Sequence, residues 1–175
     1  MPLEIVVGPM FAGKTSYALD WIYKQSGTGL VLKPRLDSRY RSDVIVSHSG
    51  EMYPCKYIDE VTPYELSVVD YIVIDEAQFV PNIRSIIQPI LNKNLLLVGL
   101  DGDSDCQPFT ELLSCIPFAS QITKLTGECS ICKNPSTSTF RVVQSSERVL
   151  IGGSESYIPV CNSCFEGSRL NACVS

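Results

Sequence analysis

Eight consecutive residues, "GPMFAGKT", carry the plainest chemistry in this 175-residue sequence: Gly8, Pro9, Met10, Phe11, Ala12, Gly13, Lys14 and Thr15. Glycines spaced in this way let successive backbone N–H groups turn inward on an anion. A lysine behind them reaches the outer phosphates of a nucleotide, and a threonine offers its hydroxyl to Mg²⁺. Gly8, Gly13, Lys14 and Thr15 fit that P-loop pattern. A second chemical group, Asp75 and Glu76 in "IVIDEAQF", follows an apolar run. An aspartate at such a strand end is the usual second contact to Mg²⁺ in P-loop enzymes. Glu76 beside it can accept a proton from an attacking hydroxyl, of water or of a sugar, and orient it. Enzymes that hydrolyse and enzymes that transfer share this acid pair, so it does not by itself say where the phosphate goes.

Four of the eight cysteines form a third group. "CSIC" supplies Cys129 and Cys132, and "CNSC" supplies Cys161 and Cys164. Two such knuckles complete a tetrahedral zinc site, and four thiolates leave no open coordination position, so the metal is read as structural. The stretch between them, 133–160, is longer than in most compact zinc ribbons. The alternative is a pair of redox dithiols, but neither knuckle is expected to open a helix after a strand in the thioredoxin manner. Cys55, Cys106, Cys115 and Cys173 lack partners at knuckle spacing and are read as plain thiols.

These groups need elements to hold them. "LEIVV" ahead of the P-loop is a buried strand, and "TSYALDWIYK" behind it sets Tyr17, Ala18, Trp21 and Ile22 at helical spacing. Further strands are expected over 29–33, 70–75 and 94–101, with short pieces at 44–47 and 56–58. "NIRSIIQPILNK" is helical in pattern, with Pro89 breaking it. Strands alternating with helices predict an α/β fold of the P-loop, RecA-like kind, with a mostly parallel sheet covered by helices. From Thr126 the chain turns rich in Ser, Gly and Cys, with β-like runs over 139–143 and 149–151. The predicted division is a nucleotide-binding domain over 1–125 and a small zinc-binding domain over 126–175.

Composition narrows the partners. Hydrophobic residues make up 45% of the chain and charged residues 19%, which describes a folded globular protein. A net charge of −5 argues against stable binding to nucleic acid, which needs clustered cations. No apolar run is long enough for a membrane span, and "MPLEIVVGPM" lacks the basic start and cleavage site of a secretory signal. A cytoplasmic protein is expected, with no regulatory tail after the last knuckle. Three functions fit these residues. One is a phosphotransferase with Glu76 as base. Another is an ATPase acting on nucleic acid, with "DEAQ" as its box and the zinc module on the strand. That reading is weakened by the acidic balance and by the two domains a helicase motor usually needs. The third is a nucleotide sensor, which has no need of a base beside the γ-phosphate.

With these motifs in hand, the chain resembles the type II thymidine kinase family, the cellular and poxvirus kind, almost from end to end. The likeness rests on "GPMFAGKT", "KPRLDSRY", "DEAQF", "LDG…PF", "KLTGECSIC" and "IGGSESYIPVCNSC", in that order. It implies an ATP-dependent kinase of thymidine, and of deoxyuridine, with Glu76 as catalytic base and Mg²⁺ accompanying ATP between Thr15 and Asp75. Asp37, Ser38 and Arg39 would approach the donor phosphates, and Gln78, in the catalytic stretch, is placed with them among the ATP- and phosphate-binding residues. The segment between the knuckles would be a lasso, anchored by zinc and closing over the base. This implicates Thr139, Arg148, Val149, Leu150, Ile151, Gly152 and Tyr157, with Met10, Leu100 and Phe109 as pocket walls. His48 falls where the family often has a histidine. Homotetramers and feedback inhibition by thymidine triphosphate are implied by the resemblance alone. The chain departs from the family pattern after "LDG", where Asp103, Ser104, Asp105, Cys106 and Gln107 replace an aromatic and two basic residues. Ser104 takes the place of the aromatic that touches the nucleoside. Arg148 stands where a small apolar residue is usual, and Ala12 replaces a common serine.

Overall fold

Two apolar faces of one sheet organise the computed structural model, which describes residues 2–35, 43–47 and 49–172. The chain runs through β1 (Leu3–Val7), α1 (Lys14–Tyr23), β2 (Gly29–Lys33), β3 (Val44–Val46), β4 (Met52–Pro54) and β5 (Lys56–Tyr57). It continues through α2 (Pro63–Val68), β6 (Tyr71–Ile74), α3 (Ile83–Ile87), β7 (Asn94–Gly99), α4 (Thr110–Leu113) and β8 (Gln121–Lys124). The last part holds β9 (Gly127–Glu128), β10 (Pro135–Ser136), β11 (Ser138–Arg141), β12 (Tyr157–Val160) and α5 (Asn162–Ala172).

Among the described residues, six strands form one sheet in the order β5-β2-β6-β7-β1-β8, and every neighbouring pair is parallel. Successive side chains of a strand point to opposite faces, so strands buried on both sides must be apolar throughout. Val6, Val31, Val73, Leu96 and Val98 face one way and pack with Ala18, Leu19, Trp21 and Ile22 of α1. Ile5, Leu32, Ile72, Ile74, Leu95 and Leu97 face the other way, onto Ile83 and Ile87 of α3 and Leu112 of α4. The expected α/β fold with a parallel sheet is therefore present. All six strands also end at the same edge of the sheet.

Several local expectations change in the folded chain. Pairing of β6 stops at Ile74, although the Asp75 N–H still donates to the Leu32 carbonyl at 2.9 Å. Glu76 then adopts the left-handed conformation (φ 51°), which turns the chain off the strand. The helix before Pro89 ends at Ile87, and Gln88–Ile90 forms a single 3₁₀ turn, because proline has no N–H to continue the ladder. The run 149–151 is not a strand. The amide of Leu150 is satisfied by a side chain instead: it donates to the Tyr157 hydroxyl, which itself donates to the Leu150 carbonyl at 2.7 Å.

After β8 the chain leaves the sheet for a small satellite. The antiparallel pair β11–β12 packs with α5 around buried Cys129, Val160 and Phe165, with the Phe140 ring edge-on to Phe165 at 6.0 Å. This satellite touches the phosphate loop directly, since the Met10 N–H donates to the buried Thr139 hydroxyl at 2.9 Å.

The two-faced core makes a stability contrast measurable. Leu96 is fully buried, whereas Val68 is 54% exposed. Truncating a fully buried leucine removes its transfer energy and leaves a cavity, so Leu96→Ala should cost about 2–5 kcal/mol. Val68→Ala should stay within about 0.5 kcal/mol of the parent. Urea unfolding of the two variants checks this; equal midpoints would contradict the packing described.

Candidate active site

The site is built at the edge where the parallel strands end. β1 delivers the P-loop, and Gly13, at φ 79°, caps α1 in a left-handed conformation that a side chain would strain. An anion held at the start of α1 would meet the positive end of the helix. The Lys14 ammonium donates to the Pro9 carbonyl at 2.7 Å, lying across the loop. Thr15 Oγ1 stands 3.4 Å from Asp75 Oδ2 at the end of β6. A hydroxyl and a carboxylate side by side next to a phosphate cradle are an oxygen donor set that fits Mg²⁺, which binds through few protein ligands and keeps several waters.

Glu76 is held from behind by Gln78. The buried Gln78 amide donates from Nε2 to Glu76 Oε2 at 2.7 Å and accepts the Leu100 N–H on Oε1 at 3.0 Å. The carboxylate is thus tied to the end of β7. Room for this bridge exists because residue 99 is glycine: a Cβ there would lie 2.2 Å from Gln78 Oε1. Asp75 contributes a second restraint by accepting the Glu76 N–H at 3.0 Å.

A pocket opens in front of these groups. Met10, Phe11, Gly13, Lys14 and Thr15 line it on the P-loop side, and Glu76 joins them. Leu100, Ser104 and Phe109 form a second wall. Thr139, Arg148, Val149, Leu150, Ile151, Gly152 and Tyr157 close the third. Every residue expected at the nucleoside thus lines one cavity together with Glu76. Gly8, Pro9, Ala12, Asp75 and Gln78 are not among the lining residues; a Cβ on Gly8 would meet the Leu125 carbonyl oxygen at 2.5 Å. Asp37, Ser38, Arg39 and His48 lie outside the described residues, as does Cys173.

Sequence reasoning did not single out Ser16, Val46, Phe79, Gly102 or Asp103 as pocket residues, yet they line it too. Phe79 belongs to the quoted "DEAQF", and its ring meets that of Phe109 edge-on at 5.6 Å. Asp103 carried a signal as part of the acidic departure after "LDG". Val46 carried none, because it arrives from the hairpin of β3 and β4, far along the chain from its pocket neighbours.

The cysteine knuckles come together as expected. One sulfur from each of Cys129, Cys132, Cys161 and Cys164 lies within 4.8 Å of the others, and Cys132 and Cys161 are 3.5 Å apart. A zinc ion with four sulfurs at tetrahedral distance sets them about 3.8 Å apart, so the cluster fits that metal. One expectation is corrected: "CNSC" does follow a strand, β12, and opens a helix, α5. That context alone would suit a redox dithiol, but the convergence of all four thiols suits a metal. Burial would raise the Cys129 thiol, but N–H groups of Cys132, Cys161 and Ile131 outweigh it and pull it down to about 6. The Cys164 thiol is pushed up to about 12, first by its hydrogen bond with Cys132 and then by burial. Four neighbouring thiolates repel, and a divalent cation is the partner that lets all of them ionise.

Comparison with known proteins agrees with this geometry. The family model described as "Thymidine kinase" matches residues 1–165. The "Thymidine kinase" of Oryza sativa subsp. japonica is 34% identical over 173 residues, which is 91% of this chain and 64% of the rice protein. "Thymidine kinase 1" of Dictyostelium discoideum is 31% identical, covering 95% of this chain and 78% of that protein. "Thymidine kinase a" of Arabidopsis thaliana is 32% identical, with 91% and 72% covered. The chain thus spans less than two thirds of the rice relative's length and about three quarters of the other two. With a P-loop, a strand-end acid pair and a four-cysteine cluster placed around one pocket, the chain belongs to the thymidine kinase family.

Proposed function

We propose that this chain is an ATP-dependent thymidine kinase, moving the γ-phosphoryl group of ATP to the 5′-hydroxyl of thymidine, and of deoxyuridine, with dTMP as the product from thymidine. One observation carries the reading: Lys14, Thr15 and Glu76 open on the same pocket as Thr139 and the run from Arg148 to Gly152. A phosphate cradle alone would serve a switch or a motor. A carboxylate and a largely apolar chamber on the same cavity suit transfer to a second substrate.

In this reading Glu76, oriented by Gln78, accepts the proton of the 5′-hydroxyl as that oxygen bonds to the γ-phosphorus. The bond from that phosphorus to the leaving ADP oxygen breaks in line. Lys14 and the N–H groups of the P-loop meet the charge on the transferring group, with Arg39 joining them by family resemblance. Mg²⁺, held by Thr15 and Asp75 when bound, supplies further neutralisation of the phosphates. The segment between the knuckles acts as a lasso over the base and excludes water, which favours transfer over hydrolysis. Structural zinc on Cys129, Cys132, Cys161 and Cys164 anchors both ends of the lasso, as a domain over 126–175 beside the nucleotide-binding domain over 1–125. Family resemblance extends the proposal to a cytoplasmic homotetramer inhibited by thymidine triphosphate, without stable binding to nucleic acid. Among the described residues no helix is long and apolar enough to cross a membrane.

Transfer of labelled γ-phosphate, measured over thymidine, deoxyuridine, deoxycytidine and water, should yield labelled nucleoside monophosphate; label found only as free phosphate would sink the kinase reading. Glu76→Gln should lower kcat about 100- to 10,000-fold while leaving ATP binding intact, in line with loss of a general base. Gly99→Ala should also lower kcat, because its methyl group displaces the Gln78 amide. An unaffected Gly99→Ala enzyme would show that the Gln78 bridge does not orient Glu76. Metal analysis of freshly purified, reduced protein should give one zinc per chain, and finding none would remove the anchor from the lasso.

A further inference from the structure

The two departures from the family pattern, an acidic loop after "LDG" and an arginine in the lasso, meet in space. Arg148 Nε donates to Asp103 Oδ2 at 2.7 Å, and its Nη2 donates to the Pro108 carbonyl at 3.0 Å. The guanidinium lies over the Phe109 ring, 5.3 Å from its centre. Asp103 is a prepared partner. Its side chain is 4% exposed, and its other oxygen, Oδ1, already accepts the N–H groups of Asp105 and Gln107 at 3.0 and 2.9 Å. Asp103 therefore folds the 101–109 loop on itself and presents one remaining oxygen to the lasso. Asp103, Phe109 and Arg148 all line the candidate nucleoside pocket.

Resting on the nucleoside-kinase reading, we propose that the Asp103–Arg148 pair is a substrate-positioning latch, which holds the lasso against the 101–109 loop across the mouth of the nucleoside pocket. The lasso between β11 and β12 has no strand ladder of its own over 142–156 to fix its distance from the sheet domain. A charge-assisted bond to a buried carboxylate, reinforced by stacking on an aromatic ring, supplies that registration. The same pair neutralises a cation and an anion that would otherwise face an uncharged substrate. Both residues act on the nucleoside through the closed lasso, and the donor-phosphate loop lies on another wall of the pocket.

The test is steady-state kinetics with thymidine and ATP on the full chain. It compares the parent with Arg148→Ala, Asp103→Asn and the double variant, together with amide hydrogen exchange of 142–156 in the substrate-free proteins. Asp103→Asn keeps an acceptor for the loop N–H groups and removes the charge, so the loop fold is spared. Each single variant should raise KM for thymidine about 10- to 100-fold, as expected for loss of one charge-assisted bond. KM for ATP should stay within about threefold. The double variant should be no worse than Arg148→Ala alone, which is the signature of a coupled pair. Exchange across 142–156 should quicken in all three. Unchanged thymidine KM in Arg148→Ala, or additive losses in the double variant, would overturn the latch. So would equal rises in the KM values for thymidine and ATP, which point to a general loss of structure. A parent protein inactive on every nucleoside would instead defeat the kinase reading, and the exchange data would then decide by themselves whether the pair holds the lasso.

Discussion

The placement of β1 between β7 and β8, all three parallel, is the constraint on which the rest of this structure depends. A strand walled on both edges and buried on both faces has no freedom to slide, because a one-residue slip would turn Ile5 and Val7 into the space of Val6. Its end point is therefore fixed, and with it the start of the P-loop. Because the neighbours run the same way, Asp75 and Glu76 after β6, Leu100 after β7 and Leu125 after β8 emerge at the same edge. Hydrophobic packing within the sheet thus sets the spacing of the P-loop, the acid pair and Leu100.

A finer constraint is layered on this one. Parallel strands bring Glu76 and Leu100 near each other but do not aim the carboxylate. Aim comes from the buried Gln78 amide, whose two ends are both satisfied, one by Glu76 and the other by the Leu100 N–H. A buried amide with both ends bonded has little freedom to turn, since any rotation leaves a polar atom unpaired. The missing side chain at Gly99 is what lets the amide lie there.

Much of this was legible in the sequence wherever the signal was local. The P-loop, the acid pair and the cysteine knuckles are short patterns whose spacing is their chemistry, and the buried strands announce themselves by unbroken apolar runs. Less legible was β8, because "QITK" has one large apolar residue and Ile122 is 49% exposed at the sheet's edge. The run 149–151 looks like a strand by composition, yet its backbone is served by the Tyr157 hydroxyl, a partner that no local pattern announces. The Asp103–Arg148 contact joins positions 45 residues apart, and only the fold brings them together. Each residue read alone as a departure becomes intelligible as half of a pair.

The bond from the Met10 amide to the Thr139 hydroxyl has one more consequence. Met10 belongs to the P-loop, and Thr139 to β11, which lies in the segment between the cysteine knuckles, so a single hydrogen bond joins two walls of one pocket. Were an occupant of the pocket to steady β11, the restraint would reach the backbone of the P-loop through this bond. Any coupling between two ligands carried by this bond would be reciprocal: whatever factor one added to the affinity of the other, it would receive back in full.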